Sequence, residues 1–324
     1  MQGFAWSFLM FLFKKFQSRK SVPKKFKRPD RGAAFWGLIG LFGVAVAGLA
    51  VFLYGWKIET KRYRLEKLSL KTGKGNGKGP TKALKVLHIS DLHLCGHDQA
   101  KVDFIRGITD DDYDLIVLTG DVFEFDDGLK FGDKLLTRKP RLGAYAVFGN
   151  HDYYHYSIFN KTVGRVLKRY RHPPAKKDVT PHKKALEAGG FTVLVNETVH
   201  LSEPNVFIVG IDYPGIKEEK LNELMAQAPE GSLKLALFHL PRNLEQLERA
   251  GFQLAFGGHT HGGQVRMPGY GALITDSDLP RQEASGFVHR GDTVLHISRG
   301  LGADPRSNFR LFCPPAATEI ELLY

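Results

Sequence analysis

An uncharged run near the N-terminus constrains this chain more than any other feature. Gly32–Trp56, GAAFWGLIGLFGVAVAGLAVFLYGW, is 25 residues long and contains no charged side chain. About 20 apolar residues in a helix cross the hydrocarbon core of a bilayer. Trp36, Tyr54 and Trp56 stand near the two ends of the run, where interfacial aromatic side chains are common. We therefore predict a single transmembrane anchor at residues 32–56.

The basic residues are concentrated around this run. Residues 1–85 carry 19 Lys and Arg against 3 acidic residues, a net charge of +16, whereas residues 86–324 carry 27 against 31. A basic region beside an apolar run favours contact with anionic lipid headgroups, and the acidic body argues against a nucleic-acid duplex as partner. We expect residues 1–31 to form a basic segment, with Phe4–Phe13 as an interfacial helix. Nine Lys and Arg at 14–31 and seven at 57–74 flank the apolar run, which favours an inside N-terminus only slightly and leaves open the side that the body faces.

A linker and an α/β body are predicted beyond the anchor. Residues 57–83 are expected to form a basic linker, because KTGKGNGKGPTK has the composition of a flexible, solvated segment. From 84 to 324, apolar runs alternate with amphipathic stretches such as 216–228 and 241–252. The apolar runs predict buried strands at 84–90, 114–120, 143–149, 205–211, 233–239, 252–258 and 293–300. This alternation predicts an α/β body in which helices cover the sheets.

Five of the predicted strands lead directly into residue types that bind metals. They are followed in turn by D-x-H, G-D, G-N-H-D, a single histidine and G-H-T-H. The side chains in these motifs are Asp91, His93, Asp121, Asn150, His151, Asp152, His239, His259 and His261. Ligands at the carboxyl ends of neighbouring strands converge at one edge of a sheet, so we expect a single shared site.

The residue types in these motifs indicate divalent metal ions. Asp, Asn and His without cysteine suit Mn, Fe or Zn, and the ligands are numerous enough for two ions bridged by one carboxylate. Two cations so close together clamp a phosphate group and assist its in-line displacement. The glycines around His259 and His261 allow a close approach of the backbone. This short turn is therefore expected to direct one imidazole to each ion.

The order of the motifs between Asp91 and His261 resembles the calcineurin-like metallophosphoesterase family. The resemblance implies a metal-dependent phosphoric ester hydrolase that folds as a sandwich of two mixed β-sheets flanked by helices. It also favours manganese, with iron or zinc as alternatives. One metal would be bound by Asp91, His93 and His261, the other by Asn150, His239 and His259, and both by Asp121. His151 would protonate the leaving oxygen or stabilise the phosphoryl charge, and Asp152 would orient His151 through a hydrogen bond.

Two C-terminal stretches resemble a membrane-anchored branch of that family. GGQVRMPGYGAL, 262–273, and SRGLGADPRSNFRLFCPP, 298–315, are similar to a branch that includes the UDP-2,3-diacylglucosamine pyrophosphatases of lipid A biosynthesis. This branch implies release of 2,3-diacylglucosamine 1-phosphate and UMP at the bacterial inner membrane by a single-pass protein whose catalytic domain faces the cytoplasm. The branch also holds envelope phosphodiesterases of other substrates, so a phosphodiesterase or phosphatase, with an extracytoplasmic body, is the alternative. A non-catalytic membrane-surface binding module is a third interpretation, against which the filled positions His151 and Asp152 argue.

A basic insertion follows the G-N-H-D motif. Residues 160–184 carry nine Lys and Arg against one Asp. They form either a solvated loop or a cationic flap that engages a pyrophosphate or the anionic membrane surface. In the second case the substrate contacts would be Arg165, Lys168, Arg169 and Arg171. The expected partners are the lipid bilayer and a phosphate-containing lipid or sugar-nucleotide substrate, while the oligomeric state stays open.

Overall fold

The computed structural model describes residues 31–72, 82–157, 173–303 and 305–324. The predicted interfacial helix near the N-terminus lies outside these ranges, as do the predicted substrate contacts Arg165, Lys168, Arg169 and Arg171. The chain divides into two compact units, Met1–Val51 and Phe52–Tyr324.

A long apolar helix occupies the predicted anchor. Helix α1 extends over Arg31–Leu53, and a π-helical turn, Tyr54–Ile58, and a 3-10 turn, Glu59–Lys61, continue it. The stretch Phe35–Lys61 contains a window with a mean hydropathy of 2.3 and is long enough to cross a membrane. Its large apolar side chains, such as Phe42, are exposed. Because water disfavours so much exposed apolar surface on one helix, α1 is a candidate membrane anchor.

Two six-stranded mixed sheets form the core of the second unit. The first has the order β1 (Arg64–Lys71), β16 (Ala316–Leu323), β2 (Ala83–Ile89), β3 (Leu115–Thr119), β4 (Ala144–Val147) and β7 (Phe191–Val193). The second has the order β14 (Gly286–Arg290), β15 (Thr293–Ile297), β11 (Leu254–Gly257), β10 (Leu233–Leu237), β9 (Val206–Gly210) and β8 (Glu197–Leu201). Strands β2, β3, β4 and β7 are parallel, as are β9, β10, β11 and β15. Two small ribbons pair β5 (Tyr154–His155) with β6 (Ala175–Lys176) and β12 (Arg266–Met267) with β13 (Gly271–Ala272).

Helices cover the outer faces of the two sheets. They are α2 (Gln99–Ile108), α4 (Thr180–Ala188), α5 (Glu218–Met225) and α6 (Leu244–Ala250), whereas the single turn α3 (Asn150–Tyr153) lies at the carboxyl end of β4. Successive strand residues point to opposite faces, so Val86 and Ile208 pack between the sheets while Leu87 packs outward against Val102 of α2. Val209 packs on the opposite outer face with residues of α5 and α6. The predicted sandwich of two mixed sheets flanked by helices is confirmed.

The predicted linker at 57–83 contains a strand. Strand β1 pairs in parallel with β16, from Arg64 opposite Ala316 to Lys71 opposite Leu323. Its sequence, RLEKLSLK, alternates charged and apolar residues, as a strand at the edge of a sheet does when one face meets water. The basic composition of the segment therefore did not reveal this strand. The prediction of a flexible linker now applies to residues 73–81, which lie outside the described ranges.

Candidate metal centre

The predicted ligands lie together at the carboxyl ends of strands from both sheets. Asp91 follows β2, Asp121 follows β3 and Asn150 follows β4, whereas His239 follows β10 and His259 follows β11. Parallel neighbouring strands bring their carboxyl ends to one edge, and here two such edges face each other. The motifs that are far apart in the chain therefore meet in one site.

The backbone at this edge is held in an uncommon conformation. The residues with positive φ include Asp91, His93, Asp121, His259 and His261, whose values lie between 43° and 71°. A side chain in the left-handed region costs free energy and persists only where the surrounding structure enforces it. Five such residues in one cluster indicate that the surrounding fold enforces an energetically unfavourable backbone conformation. This conformation directs the five side chains to a common point.

The first group of side chains contains Asp91, His93 and His261, whose potential ligand atoms all lie within 4.8 Å of one another. Nε2 of His261 lies 3.6 Å from Oδ1 of Asp91, and Nε2 of His93 lies 3.7 Å from Oδ2 of Asp121. Nε2 of His93 is buried and has no hydrogen-bond partner among the described residues. Because buried polar atoms are almost always paired, this orphaned nitrogen is what a metal ligand requires.

The second group surrounds the other side of Asp121. Nε2 of His239 lies 3.3 Å from Oδ2 of Asp121 and 3.1 Å from Oδ1 of Asn150. Nδ1 of His259 lies 2.8 Å from the same Asn150 oxygen and 3.2 Å from Nε2 of His239. Asp121 thus presents one oxygen to nitrogen atoms of both groups, which is the geometry of a carboxylate that could bridge two cations.

Protonation of these side chains depends strongly on their neighbours. Burial alone would lower the pKa of His239, but the Asp121 carboxylate raises it to about 9. Burial and the nearby His239 lower the pKa of His259 to about 4. Burial opposes ionisation of Asp121, yet the charges of His239 and His151 hold the pKa of this carboxyl well below its usual range. Protons and metal ions compete for the same atoms, so cation binding here is coupled to proton release.

Glu124 is a site residue that the sequence analysis did not identify. Its Oε2 accepts hydrogen bonds from Nδ1 of His93 at 2.9 Å and from Nδ1 of His151 at 2.7 Å, and its Oε1 accepts one from Arg306. Burial opposes ionisation, but the hydrogen bonds from the two histidines hold the pKa of Glu124 far below its usual range. An ionised carboxylate only accepts hydrogen bonds, so both imidazoles carry a proton on Nδ1 and turn Nε2 toward the site. The available sequence signal was a lone acid inside the apolar stretch VFEF.

The predicted hydrogen bond between Asp152 and His151 is wrong. The Asp152 carboxylate instead accepts hydrogen bonds from the backbone N–H groups of Asp121 at 2.8 Å, Val122 at 3.0 Å and Gly149 at 2.9 Å. A short carboxylate side chain forms hydrogen bonds to nearby backbone N–H groups more readily than to the imidazole of its neighbour in sequence. Asp152 therefore ties the loop after β3 to the start of α3, and Glu124 takes the place of orienting partner.

One residue of the basic insertion, Lys177, is buried beside the site. Its Nζ donates hydrogen bonds to the backbone carbonyl oxygens of His151 at 2.7 Å and Glu124 at 2.8 Å. Burial lowers the pKa of this ammonium group. Lys177 thus holds together the segments that carry Glu124 and His151, a structural role within an insertion for which only substrate or membrane contact was predicted.

Comparison with known proteins agrees with this geometry. The family model described as calcineurin-like phosphoesterase matches residues 84–263. The uncharacterized metallophosphoesterase YkoQ of Bacillus subtilis is 29% identical over 81% of this chain and 92% of its own length. Phosphodiesterase YaeI of Escherichia coli is 29% identical over 74% of this chain and 82% of its own length.

A third relative is named for a defined substrate. The UDP-2,3-diacylglucosamine pyrophosphatase LpxG of Chlamydia muridarum is 27% identical over 74% of this chain and 84% of its own length. Members of the matched family bind two divalent metals and hydrolyse phosphoesters, and the described residues include Asp and His clusters able to hold a metal ion. This chain belongs to the calcineurin-like metallophosphoesterase family and is a phosphoester hydrolase.

Proposed function

We propose that this hydrolase cleaves a phosphodiester or pyrophosphate bond at a centre of two divalent ions, next to a membrane. The observation that carries the proposal is the position of Asp121 Oδ2, 3.7 Å from His93 Nε2 and 3.3 Å from His239 Nε2. A single carboxylate oxygen between two groups of ligands suits a bridged pair of cations. The proposed ligands are Asp91, His93 and His261 for one ion, Asn150, His239 and His259 for the other, and Asp121 for both.

The donor atoms fit such ions. They are imidazole nitrogens and carboxylate or amide oxygens without thiolate, which suits Mn, Fe or Zn, and we propose manganese. Two divalent ions would supply Lewis acidity toward a phosphoryl group. The orphaned Nε2 of His93 supports this assignment because its other ring nitrogen is already engaged with Glu124.

His151 is proposed to protonate the leaving oxygen or to stabilise charge on the phosphoryl group. Its ring centroid lies 4.6 Å from that of His93, so the imidazole stands beside the proposed ligands. Its Nδ1 is held by Glu124 at 2.7 Å, which fixes the orientation of the imidazole and turns Nε2 toward the site. Asp152 supports this histidine indirectly, through the backbone of the loops that it joins.

UDP-2,3-diacylglucosamine is the substrate that we propose, with 2,3-diacylglucosamine 1-phosphate and UMP as products. Similarity to LpxG, 27% identical over most of both chains, supports this substrate. Helix α1 supports it independently, because a membrane anchor keeps the site near a lipid-linked phosphate. The body would then face the cytoplasm from a bacterial inner membrane, and the basic insertion with Arg165, Lys168, Arg169 and Arg171 would engage the pyrophosphate.

A second candidate keeps the chemistry and changes the substrate. Similarity to YaeI, which is named a phosphodiesterase without a stated substrate and is 29% identical, favours hydrolysis of another envelope phosphodiester. The residues proposed for the metals and for proton transfer would act in the same way on either substrate.

The test is UMP release from UDP-2,3-diacylglucosamine by the full chain in detergent, with Mn and with a chelator. We expect Mn-dependent turnover that falls about 100-fold or more in His151→Ala. His200→Ala is the matched control and should keep the parental rate, because His200 is an exposed histidine of β8 whose side chain bonds only to Asn205 among the described residues.

Two results would contradict the proposal at different levels. Hydrolysis of bis(p-nitrophenyl) phosphate without UMP release would reject the lipid substrate and retain the phosphodiesterase. Absence of hydrolysis of either compound, with metals bound, would reject the proposed catalytic roles and favour a binding module.

A further inference from the structure

The exposed large apolar side chains of the second unit gather on a few neighbouring segments. Among the described residues after α1, these side chains are Trp56, Ile58, Met267, Tyr270, Leu273, Ile274 and Phe312. The exposed fraction is 60% for Phe312, 54% for Met267 and 53% for Ile274. Exposed apolar residues of soluble proteins are normally scattered singly, whereas a contiguous group marks an interaction surface.

Backbone hydrogen bonds join the ribbon β12–β13 to the segment that carries Phe312. The N–H of Arg266 donates to the carbonyl of Leu311 at 2.9 Å, and the N–H of Leu311 donates to the carbonyl of Gln264 at 3.0 Å. Within the ribbon region, the N–H of Leu273 donates to the carbonyl of Val265 at 3.1 Å. The ribbon and the segment therefore lie side by side. Met267, Tyr270 and Phe312 line one shallow depression between them.

The same segment also contacts the last turn of the anchor helix and the residues that follow it. The N–H of Arg310 donates to the carbonyl of Gly55 at 3.1 Å, and the ring of Phe309 stacks on that of Phe52 with centroids 5.7 Å apart. The three segments 52–58, 265–274 and 309–312 thus form one connected surface, called here the docking face. It is continuous in sequence with the apolar helix α1.

Cationic side chains accompany the aromatic rings of the docking face. Lys57 Nζ lies 3.6 Å from the centroid of the Trp56 ring, and the Arg281 guanidinium lies 5.2 Å from that of Tyr270. The three segments of the docking face contain no acidic residue. The adjoining Glu59 is buried and accepts a hydrogen bond from the backbone of Cys313, whereas Asp276 and Asp278 beyond Ile274 are exposed. Aromatic rings with neighbouring Lys and Arg are typical of the bilayer interface, where the rings enter the headgroup layer and the cations meet anionic lipids.

The docking face begins next to the metal centre. The turn that carries His259 and His261 continues directly into β12, and Arg266 donates a hydrogen bond back to the carbonyl of Gly262 at 3.1 Å. Any surface on which this face rests would therefore lie close to the proposed ligands. A lipid could keep its acyl chains in the bilayer while its phosphate reached the site.

We propose that the docking face rests on the headgroup layer of an anionic bilayer and inserts its aromatic and aliphatic side chains into it. The proposal rests on the proposed anchoring of the chain by α1, and it adds a second membrane contact, made by the catalytic body itself. A second copy of the chain is the competing occupant. A second copy would need negative charge at the positions that face these cations. An anionic bilayer supplies negative charge over its whole headgroup layer.

The test uses the full chain in vesicles of phosphatidylcholine and phosphatidylglycerol that contain doxyl-labelled lipids. An environment-sensitive fluorophore is attached to Phe312→Cys or to Met267→Cys. Glu223→Cys in α5 is the matched control, because the Glu223 side chain is 64% exposed and lies off the docking face. Cys95 and Cys313 are buried, and the unsubstituted chain carried through the same labelling gives the background.

We expect the lipid quencher to reduce the emission from positions 312 and 267 at least about threefold more than that from position 223. A label on Leu41→Cys in α1 reports separately whether the anchor is inserted. Quenching at position 41, with positions 312 and 267 no different from 223, would overturn the docking face and leave the anchor intact. Energy transfer between labelled copies at 312, without lipid quenching, would also overturn it in favour of self-association. UMP release is a separate measurement, so either failure is distinguishable from failure of the proposed reaction.

Discussion

Nδ1 of His151 lies 2.7 Å from Oε2 of Glu124, and this hydrogen bond links the proposed proton donor to the proposed metal centre. The same oxygen accepts a hydrogen bond from Nδ1 of His93 at 2.9 Å. One buried carboxylate therefore sets the orientation and the tautomer of a catalytic candidate and of a ligand candidate together. A change at Glu124 should affect both chemistry and metal binding.

Glu124→Gln tests the role of this carboxylate as the shared hydrogen-bond acceptor of the two histidines. The amide keeps the shape of the side chain but removes its charge and replaces one acceptor oxygen by a donor. Because both histidines bond to Oε2 and Arg306 bonds to Oε1, either both histidines or Arg306 lose their acceptor, and both histidines lose the charged one. We expect metal affinity or kcat to fall about 10- to 100-fold, as measured by metal titration and by phosphodiester hydrolysis. Glu245→Gln, at an 86% exposed side chain of α6, should change neither, and the same lack of effect in Glu124→Gln would contradict the account.

Lys177→Met tests the buried ammonium group under the site. Methionine fills similar space but leaves the carbonyl oxygens of His151 and Glu124 without their donor. Unsatisfied buried acceptors cost about 1–3 kcal/mol, so the free energy of unfolding in urea should fall by about that amount. Lys176→Met, at the exposed neighbour in β6, should stay within about 0.5 kcal/mol of the parent. Equal stability of the two variants would show that Lys177 does not hold these loops.

Gly258→Ala tests the close approach of the backbone in the G-H-T-H turn. A Cβ atom at this position would overlap Oγ of Ser90 and would lie 2.6 Å from Oδ2 of Asp91, so the Asp91 carboxylate must move. Displacement of a positioned group by about 1 Å can cost about 100-fold in rate, and we expect hydrolysis to fall by a factor of that order. Gly107→Ala in α2, where an added Cβ meets no atom within 4 Å, should keep the parental rate. Full activity of Gly258→Ala would mean that the site tolerates a shifted Asp91.

The buried pair His88 and His296 predicts a dependence of stability on pH. Their Nδ1 atoms lie 2.7 Å apart between the sheets. Burial lowers the pKa of His296 to about 3, and burial together with His296 lowers the pKa of His88 well below its usual value. An unfolded chain has histidine pKa values of about 6.5. Below about pH 6.5 the unfolded state thus binds more protons, and the free energy of unfolding decreases as the pH falls from about 6.5 toward 3.

His296→Gln removes one of these titrating groups and keeps a hydrogen-bonding side chain. Between pH 6 and pH 4, the slope of the unfolding free energy against pH should become shallower by up to about 1.4 kcal/mol per pH unit. Urea unfolding of the full chain in detergent at several pH values measures this slope. His200→Gln, at an exposed histidine, should leave the slope unchanged, and identical slopes in all three proteins would refute the assignment.

The seven predicted strands are all present in the structure, because each is a buried strand that reads as a continuous apolar run. The other five strands of the two sheets, β1, β7, β8, β14 and β16, were not predicted. Strand β16 lies inside the first sheet, but the acidic residues of AATEIELL interrupt its apolar run. The other four are edge strands, of which β1 and β8 are the clearest cases. They lie at the edges of the two sheets, where RLEKLSLK and ETVHL expose alternate residues to water and resemble ordinary polar segments. An edge strand can be identified only from its pairing with a neighbouring strand. A single sequence does not show which strand that neighbour is.

The site residues that directly follow a predicted strand could be identified from the sequence. The contacts between separate loops and turns of the site could not. Asp91, Asp121 and His239 could be grouped because strand ends converge. The hydrogen bond between Glu124 and His151 joins residues 27 positions apart, one in the loop after β3 and one in α3. The hydrogen bond from Lys177 to the carbonyl of His151 joins residues 26 positions apart. Such contacts depend on the packing of the loops, which no local pattern encodes.

Titration of the full chain with Mn(II), followed by electron paramagnetic resonance, tests the central claim most directly. Two ions bridged by the Asp121 carboxylate, at about 3.5–4 Å, should give two bound Mn per chain and an exchange-coupled signal. Asp121→Asn should lose the coupling and at least one ion, whereas Asp110→Asn, at an exposed carboxylate, should match the parent. One bound ion per chain, or two ions whose signals are uncoupled in the parent, would contradict the dinuclear centre.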